Sequence, residues 1–197
     1  MVDKRRSERR GAIHVGSSPT LGTMSTEREK EMKKKGIYAG SFDLLTDGHY
    51  EMIKEGSKLF DELIVVVASD PKKKYMFSVE ERAAMLRIVC QEFPNVVVKT
   101  LPERMMLPIF AKAENVKYIL RGIRNIADFD AEYTLQVTYR GINSDVSCVY
   151  LVLSPLLCNR SSSTVKALLG YDGWEEEVAK YVPKQILEVL IARSNKD

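Results

Sequence analysis

The sequence contains no stretch approaching the ~20 consecutive apolar residues that a membrane-spanning helix requires. No apolar segment of signal-peptide type opens the chain either, so the cytosol is the expected address. Cysteine is scarce: Cys90, Cys148 and Cys158 are odd in number, widely spaced and never form a CxxC pair. That spacing argues against a disulfide framework and against a zinc site, and the three read as reduced thiols. Histidine is scarcer still, with only His14 and His49. The chain lacks a GxxxxGK[ST] loop, a GxGxxG turn and a GxSxG elbow. Acyl or thiol chemistry driven by a histidine base therefore finds no supporting residues.

Clustered excess charge is missing too. The net charge of +3 is accounted for by residues 1–23, where Lys4, Arg5, Arg6, Arg9 and Arg10 face only Asp3 and Glu8. The remainder balances, so no general polyanion-binding face is expected and nucleic acid is not an expected partner. Residues 1–24 also lack apolar periodicity and are rich in Arg, Ser, Gly and Thr, which predicts disorder. Ser25 and Thr26 can cap a short charged helix from Glu27 to Lys34, giving an N-terminal extension over 1–35 and a folded domain over 36–197. With 45% hydrophobic and 29% charged residues, that domain has the balance of a soluble globular protein.

From Gly36 onward, strand and helix signals alternate. Gly36–Gly40, Leu63–Ala68, Val96–Val98, Tyr118–Leu120 and Cys148–Leu153 read as strands. Helices are expected over His49–Phe60, from Ser78 (a capping box with Glu81), over Leu107–Ala113, from near Asp128, over Ser163–Leu169 and over Pro183–Ala192. Alternation of this kind predicts an α/β fold, a Rossmann-like doubly wound parallel sheet of about five strands with helices on both faces. Ligands of such sheets sit beyond the carboxyl ends of the strands, where the strand order reverses.

Four clusters fall at those ends. Gly40-Ser41-Phe42-Asp43 through Thr46-Asp47-Gly48-His49 leaves a strand and enters a helix, whose unpaired N–H groups attract anions. Gly40 and Gly48 allow close backbone approach to a phosphate, and His49 adds a side-chain donor; the plainer alternative is two turn glycines and a capping or core histidine. Lys72-Lys73-Lys74 follows the second strand and suits phosphate oxygens, or is a solvated basic loop. Arg121-Gly122-Ile123-Arg124 places two guanidinium forks three positions apart, with Asp128, Asp130 and Glu132 nearby as alternative ion-pair partners. Asn159-Arg160-Ser161-Ser162-Ser163 precedes a helix that its hydroxyls can cap or whose start can hold phosphate. Many phosphate binders without an obvious nucleophile suit a transfer in which one substrate's own phosphate attacks the other.

The combination YxGSFDxxTxGH, KKxxMFSxEER, RGIRNxxDFDxE and SSSxVK, in this order, resembles the HxGH/TxGH nucleotidyltransferases, and among them the bacterial phosphopantetheine adenylyltransferases. The resemblance runs from about Ile37 to Leu190. It implies adenylyl transfer from ATP, with Mg2+, to 4′-phosphopantetheine, giving dephospho-coenzyme A and pyrophosphate, and assembly as a homo-oligomer, a hexamer. It implies His49, Lys73, Arg124 and Ser162 as catalytic residues. Gly40, Ser41, Phe42, Gly48, Gly122, Ile123, Asp128 and Glu132 would join the nucleotide site, with Leu157, Cys158, Asn159, Arg160, Ser161 and Ser163 around the triphosphate. Ser41, Lys73, Leu107 and Arg121 would hold the acceptor. Thr138-Tyr139 and Ala167 differ from the family pattern, at positions that normally face the acceptor. The alternatives are a related enzyme with another phosphate-bearing acceptor, such as nicotinamide mononucleotide, a cytidylyltransferase, or a non-catalytic nucleotide-binding protein.

Overall fold

The computed structural model describes residues 33–157 and 160–195. The expected N-terminal extension and its short helix lie outside the described residues up to position 32, and Lys33 and Lys34 are not helical. The elements run β1 Lys35–Gly40, α1 Asp47–Leu59, β2 Glu62–Val67, α2 Val79–Cys90, β3 Val96–Thr100, α3 Leu107–Ala113, β4 Tyr118–Ile123, α4 Ile126–Ile142 and β5 Ser147–Val152. A 3-10 turn at Pro155–Leu157 then leads to α5 Ser162–Leu168, α6 Trp174–Val178 and α7 Lys184–Ser194. The five strands form one parallel sheet in the order β3-β2-β1-β4-β5. The order reverses at β1, whose carboxyl end therefore opens a crevice against β4.

The period-2 alternation of the strands separates two cores. Tyr38, Leu63, Val65, Val67 and Leu120 point into a cluster with Met52 and Ile53 of α1, Leu86 and Val89 of α2, and Ile186 of α7. Ile37, Ala39, Ile64, Val66 and Ile119 point to the opposite face, against Leu107, Phe110 and Ala111 of α3. A covered face on each side explains why the strands read as continuous β-branched runs. Gly56 lets α1 lie close on the sheet, since a Cβ there would stand 2.7 Å from Leu120 Cδ2 and 2.9 Å from Leu63 Cδ2.

Two boundaries differ from the sequence reading in ways that matter. β4 continues three residues beyond Leu120 because β5 pairs with it as far as Ile123 opposite Val152. Arg121 and Gly122 are consequently strand residues with fixed directions, not members of a loop. α4 starts at Ile126 because the Asn125 side chain accepts from the Asp128 N–H and caps it. The five-residue α6, preceded by Gly173 at φ 73°, carried no periodicity long enough to be read.

Arg82 of α2 ties the loops at the strand ends together. Its side chain is fully buried. Nη1 donates to the carbonyls of Ser41 (2.8 Å) and Ala68 (3.3 Å), Nη2 donates to Ser69 Oγ (2.8 Å), and Nε donates to the carbonyls of Phe77 (3.1 Å) and Ser78 (3.2 Å). The Tyr75 ring covers the guanidinium at 4.3 Å. Among the described residues no carboxylate pairs with it, so backbone carbonyls carry the charge. Arg82→Met is expected to lower stability by about 3 kcal/mol, because carbonyls at the ends of β1 and β2 lose their donors. The midpoint of urea unfolding measures it, and an unshifted midpoint rejects this role.

Candidate active site

The start of α1 sets the chemistry of His49. The Thr46 backbone N–H donates to His49 Nδ1 at 3.1 Å, and Thr46 Oγ1 lies 3.1 Å from the same nitrogen. His49 thus completes a capping box in the place usually taken by Glu or Gln. Nδ1 acts as an acceptor, so the neutral ring carries its proton on Nε2. Burial, and after it the Arg124 cation, push the imidazole down to about 4, and the ring is neutral at pH 7. Phe42 packs edge-on against it, with ring centroids 5.2 Å apart. Phe42 itself adopts φ 49°, a strained value for a bulky residue, and its buried ring holds it there.

His49 lines a cavity of about 330 Å³ beyond the carboxyl ends of β1 and β4. Gly40, Gly48, Gly122, Arg124 and Glu132 face it, as do Leu157, Arg160, Ser161, Ser162 and Ser163 across the opening. Elements from residue 38 to residue 163 therefore converge on one space. Cys158 and Asn159 lie outside the described residues. Four of the expected nucleotide residues do not form its wall, and one of them, Ser41, lines the adjoining cavity instead. Phe42 is buried beneath His49, Ile123 is buried as the last residue of β4, and Asp128 is drawn to Arg124. Gly40 and Gly122 also have packing duties, because a Cβ would stand 3.1 Å from the Phe42 ring in one case and 3.0 Å from Met52 Sδ in the other.

A second cavity of about 340 Å³ adjoins the first through Ala39, Gly40 and Arg121. Ser41, Lys73, Leu107 and Arg121, the four residues expected to hold an acceptor, all line it, together with Tyr75 and Tyr139. The lysine loop is built by Asp70. Its Oδ1 accepts from the Lys72 N–H at 2.9 Å, and its carbonyl accepts from the Lys73 N–H at 3.0 Å.

The arginines of the crevice have carboxylate partners. Arg124 Nε donates to Asp128 Oδ2 at 2.7 Å, and Arg121 pairs side-on with Glu132. Both ion pairs left open by the sequence are present, on residues that also face a cavity. Ser161 caps α5 by accepting from the Thr164 N–H at 3.1 Å. The Ser162 hydroxyl donates to the Leu44 carbonyl at 2.6 Å, so what Ser162 presents at the helix start is its backbone.

Sequence reasoning missed the residues that join the motifs to one another. Asp43 is buried, and its carboxylate accepts from the N–H groups of Met76 (3.0 Å) and Phe77 (2.9 Å) and pairs with Lys166. Burial raises the Asp43 pKa, but Lys166 and the two amides outweigh it and hold the carboxyl below its usual value. Asp47 pairs with Arg160, clamping the loop before α5 to the start of α1. These partners lie 33 to 123 positions apart, and local spacing carries no sign of them. Cys90 and Cys148 carry free thiols, and burial pushes the Cys90 thiol up to about 12. No described helix is long and apolar enough to cross a membrane.

Comparison with known proteins agrees with this geometry. Residues 37–168 match the cytidylyltransferase-like family model, whose span includes all four motifs from Gly40 to Lys166. A phosphopantetheine adenylyltransferase of Chromobacterium violaceum is 37% identical over 159 residues, covering 81% of this chain and 96% of the relative. One from Desulfatibacillum aliphaticivorans is 37% identical over 166 residues, covering 84% and 91%. Among solved structures, nicotinic acid mononucleotide adenylyltransferase of Plasmodium falciparum aligns with TM-score 0.60 and 16% identity, over 81% of this chain and 95% of that one, a likeness of fold alone. Shared sequence across nearly the full length of the relatives, on a crevice built from the same four motifs, places this chain in the phosphopantetheine adenylyltransferase family of cytidylyltransferase-like proteins.

Proposed function

We propose that this protein is a pantetheine-phosphate adenylyltransferase, transferring the adenylyl group of ATP to 4′-phosphopantetheine to give dephospho-coenzyme A and pyrophosphate. The observation that carries the reading is the pair of cavities meeting at Ala39, Gly40 and Arg121, one walled by His49 and the serine loop, the other by Ser41 and Lys73. Two phosphate-bearing substrates seated in these spaces meet at the shared wall. The relatives named for phosphopantetheine favour that acceptor over nicotinamide mononucleotide.

In this reading ATP occupies the first cavity, its triphosphate facing Arg124, Arg160 and the stretch from Leu157 to Ser163. The acceptor phosphate sits between Ser41, Lys73 and Arg121. One of its oxygens attacks the α-phosphorus, a new P–O bond forms, and the bond to pyrophosphate breaks. A phosphate monoester is already largely ionised at pH 7, with a second pKa of about 6, so no side chain has to remove a proton. Catalysis is alignment together with stabilisation of developing charge. His49 supplies a neutral Nε2–H donor to an α-phosphate oxygen, and its Nδ1 bond to Thr46 fixes that tautomer.

Mg2+ would be held by the phosphates of the nucleotide itself and would neutralise part of their charge. Among the described residues no three His, Cys, Asp or Glu side chains gather to hold a metal. The crevice carboxylates Asp47 and Glu132 are occupied by arginines. The expected homo-oligomer belongs to the same proposal. α4 buries none of its residues and exposes Ile126, Phe129, Tyr133 and Val137, a row suited to covering by another copy. A cytosolic setting completes it.

Turnover with ATP and 4′-phosphopantetheine, followed by the mass of the product, tests the assignment. Dephospho-coenzyme A is expected, and product only with nicotinamide mononucleotide or only with CTP would replace the reading. His49→Ala is expected to lower kcat at least about a hundredfold, the usual loss for one charge-stabilising donor. The variant stays folded, losing about 1 kcal/mol with its cap. Near-normal turnover removes His49 from this role. The ring itself can be watched by 1H–15N NMR of the ligand-free protein. The expected midpoint is about 4, with the proton on Nε2 throughout the neutral range. A midpoint of 6 to 7 contradicts the burial argument. Because the folded value lies below the ordinary one of about 6.5, the stability this group contributes is complete above about pH 6.5 and is lost as the pH falls towards 4.

A further inference from the structure

The geometry points to Glu132 as a positioning residue that aims Arg121 at the acceptor's phosphate, an inference resting on the reading that Arg121 takes that phosphate. Arg121 Nε donates to Glu132 Oε2 at 2.6 Å, and Nη2 donates to Glu132 Oε1. A guanidinium has five N–H donors. This side-on pair uses the Nε–H and one Nη2–H. Nη1 makes a single long bond of 3.3 Å to the Ala39 carbonyl. The end-on edge, one N–H from each Nη, remains for a second oxyanion, which is the bidentate geometry a phosphate takes.

Both cavities reach this arginine. Arg121 lies in the wall shared by the two, whereas Glu132 lines only the nucleotide side. Glu132 therefore has access to the nucleotide, yet both its oxygens face Arg121. Its own place is held from β5, where the Tyr150 hydroxyl lies 3.2 Å from the Glu132 carbonyl and 2.7 Å from Gln136 Oε1. Both members of the pair are less than a quarter exposed, so solvent screens the interaction only in part. A carboxylate held this way fixes the roll of the guanidinium plane. It also offsets one of the positive charges that would otherwise repel each other in the empty site.

Glu132→Gln keeps the shape and removes the charge and one acceptor oxygen. The expected outcome is a KM for 4′-phosphopantetheine raised roughly tenfold, well beyond any change in the KM for ATP. Glu132→Asp, which keeps the charge but withdraws the carboxylate by one methylene, is expected to give the same split. The deciding measurement is the double-mutant cycle with Arg121→Lys, whose ammonium cannot make the side-on fork. In that background Glu132→Gln is expected to add less than about twofold to the acceptor KM. A raised ATP KM with additive effects would overturn the proposal and make Glu132 a direct nucleotide contact. Unchanged constants in both Glu132 variants also overturn it, while leaving the enzyme reading intact. Failure of the unaltered protein to use 4′-phosphopantetheine at all overturns that reading, and this inference with it.

Discussion

The crevice depends on a buried carboxylate and a buried guanidinium that reach across the loops at the strand ends. Asp43 receives the backbone of Met76 and Phe77 and the ammonium of Lys166, while Arg82 binds the carbonyls of Ser41, Ala68, Phe77 and Ser78. Loops at the ends of parallel strands have no ladder partners of their own, and their unpaired carbonyls would be costly under the weight of α2 and α5. Arg82 satisfies five acceptors with one side chain. The consequence for function is mechanical. Ser41 and the lysine loop on one side, and the serine helix on the other, are referenced to the same residues, so the two cavities keep a common wall.

Within this frame, His49 does two jobs through its two nitrogens. As a cap it accepts at Nδ1, which is a structural duty any sequence reader could assign instead of chemistry. That same bond leaves Nε2 as the donor, and burial beside Arg124 keeps the ring neutral. A charged imidazolium would donate more strongly, but it would also sit against a guanidinium in a half-buried site. A neutral donor avoids that repulsion. The structural and the chemical readings of His49 are thus one arrangement seen from each end of the ring.

Much of this was legible in the sequence for identifiable reasons. The β-branched runs, the Ser78–Glu81 capping box and Leu107–Ala113 are local signals, and the structure matches them closely. Residues of four separate motifs were expected around one space because each follows a strand of a parallel sheet, and topology alone brings such ends together. The failures share a cause as well. The strand was read as ending at Leu120, short of Arg121, because its last residues are fixed by pairing with β5, some thirty residues away. Phe42 was assigned to the nucleotide by its position in a motif, yet its positive φ turns the ring inward. Asp43 and Arg82 look like ordinary motif letters until their distant partners are known. Local periodicity reports faces and caps, and it does not report which loop a buried charge will hold.

The ion pairs also rank the cations of the site by how easily they change partners. Lys166 meets an Asp43 carboxylate that is almost wholly enclosed, so separating them would strand a buried charge, which is strongly unfavourable. Arg160–Asp47 and Arg121–Glu132 are partly enclosed, and each ties two elements together. Arg124–Asp128 is different. It spans one helical turn at the start of α4, the arginine is 43% exposed, and pairs of that kind contribute little in water. The carboxylates of Asp43, Asp47 and Glu132 thus give the crevice its fixed frame, to which the exposed pair at the start of α4 adds little.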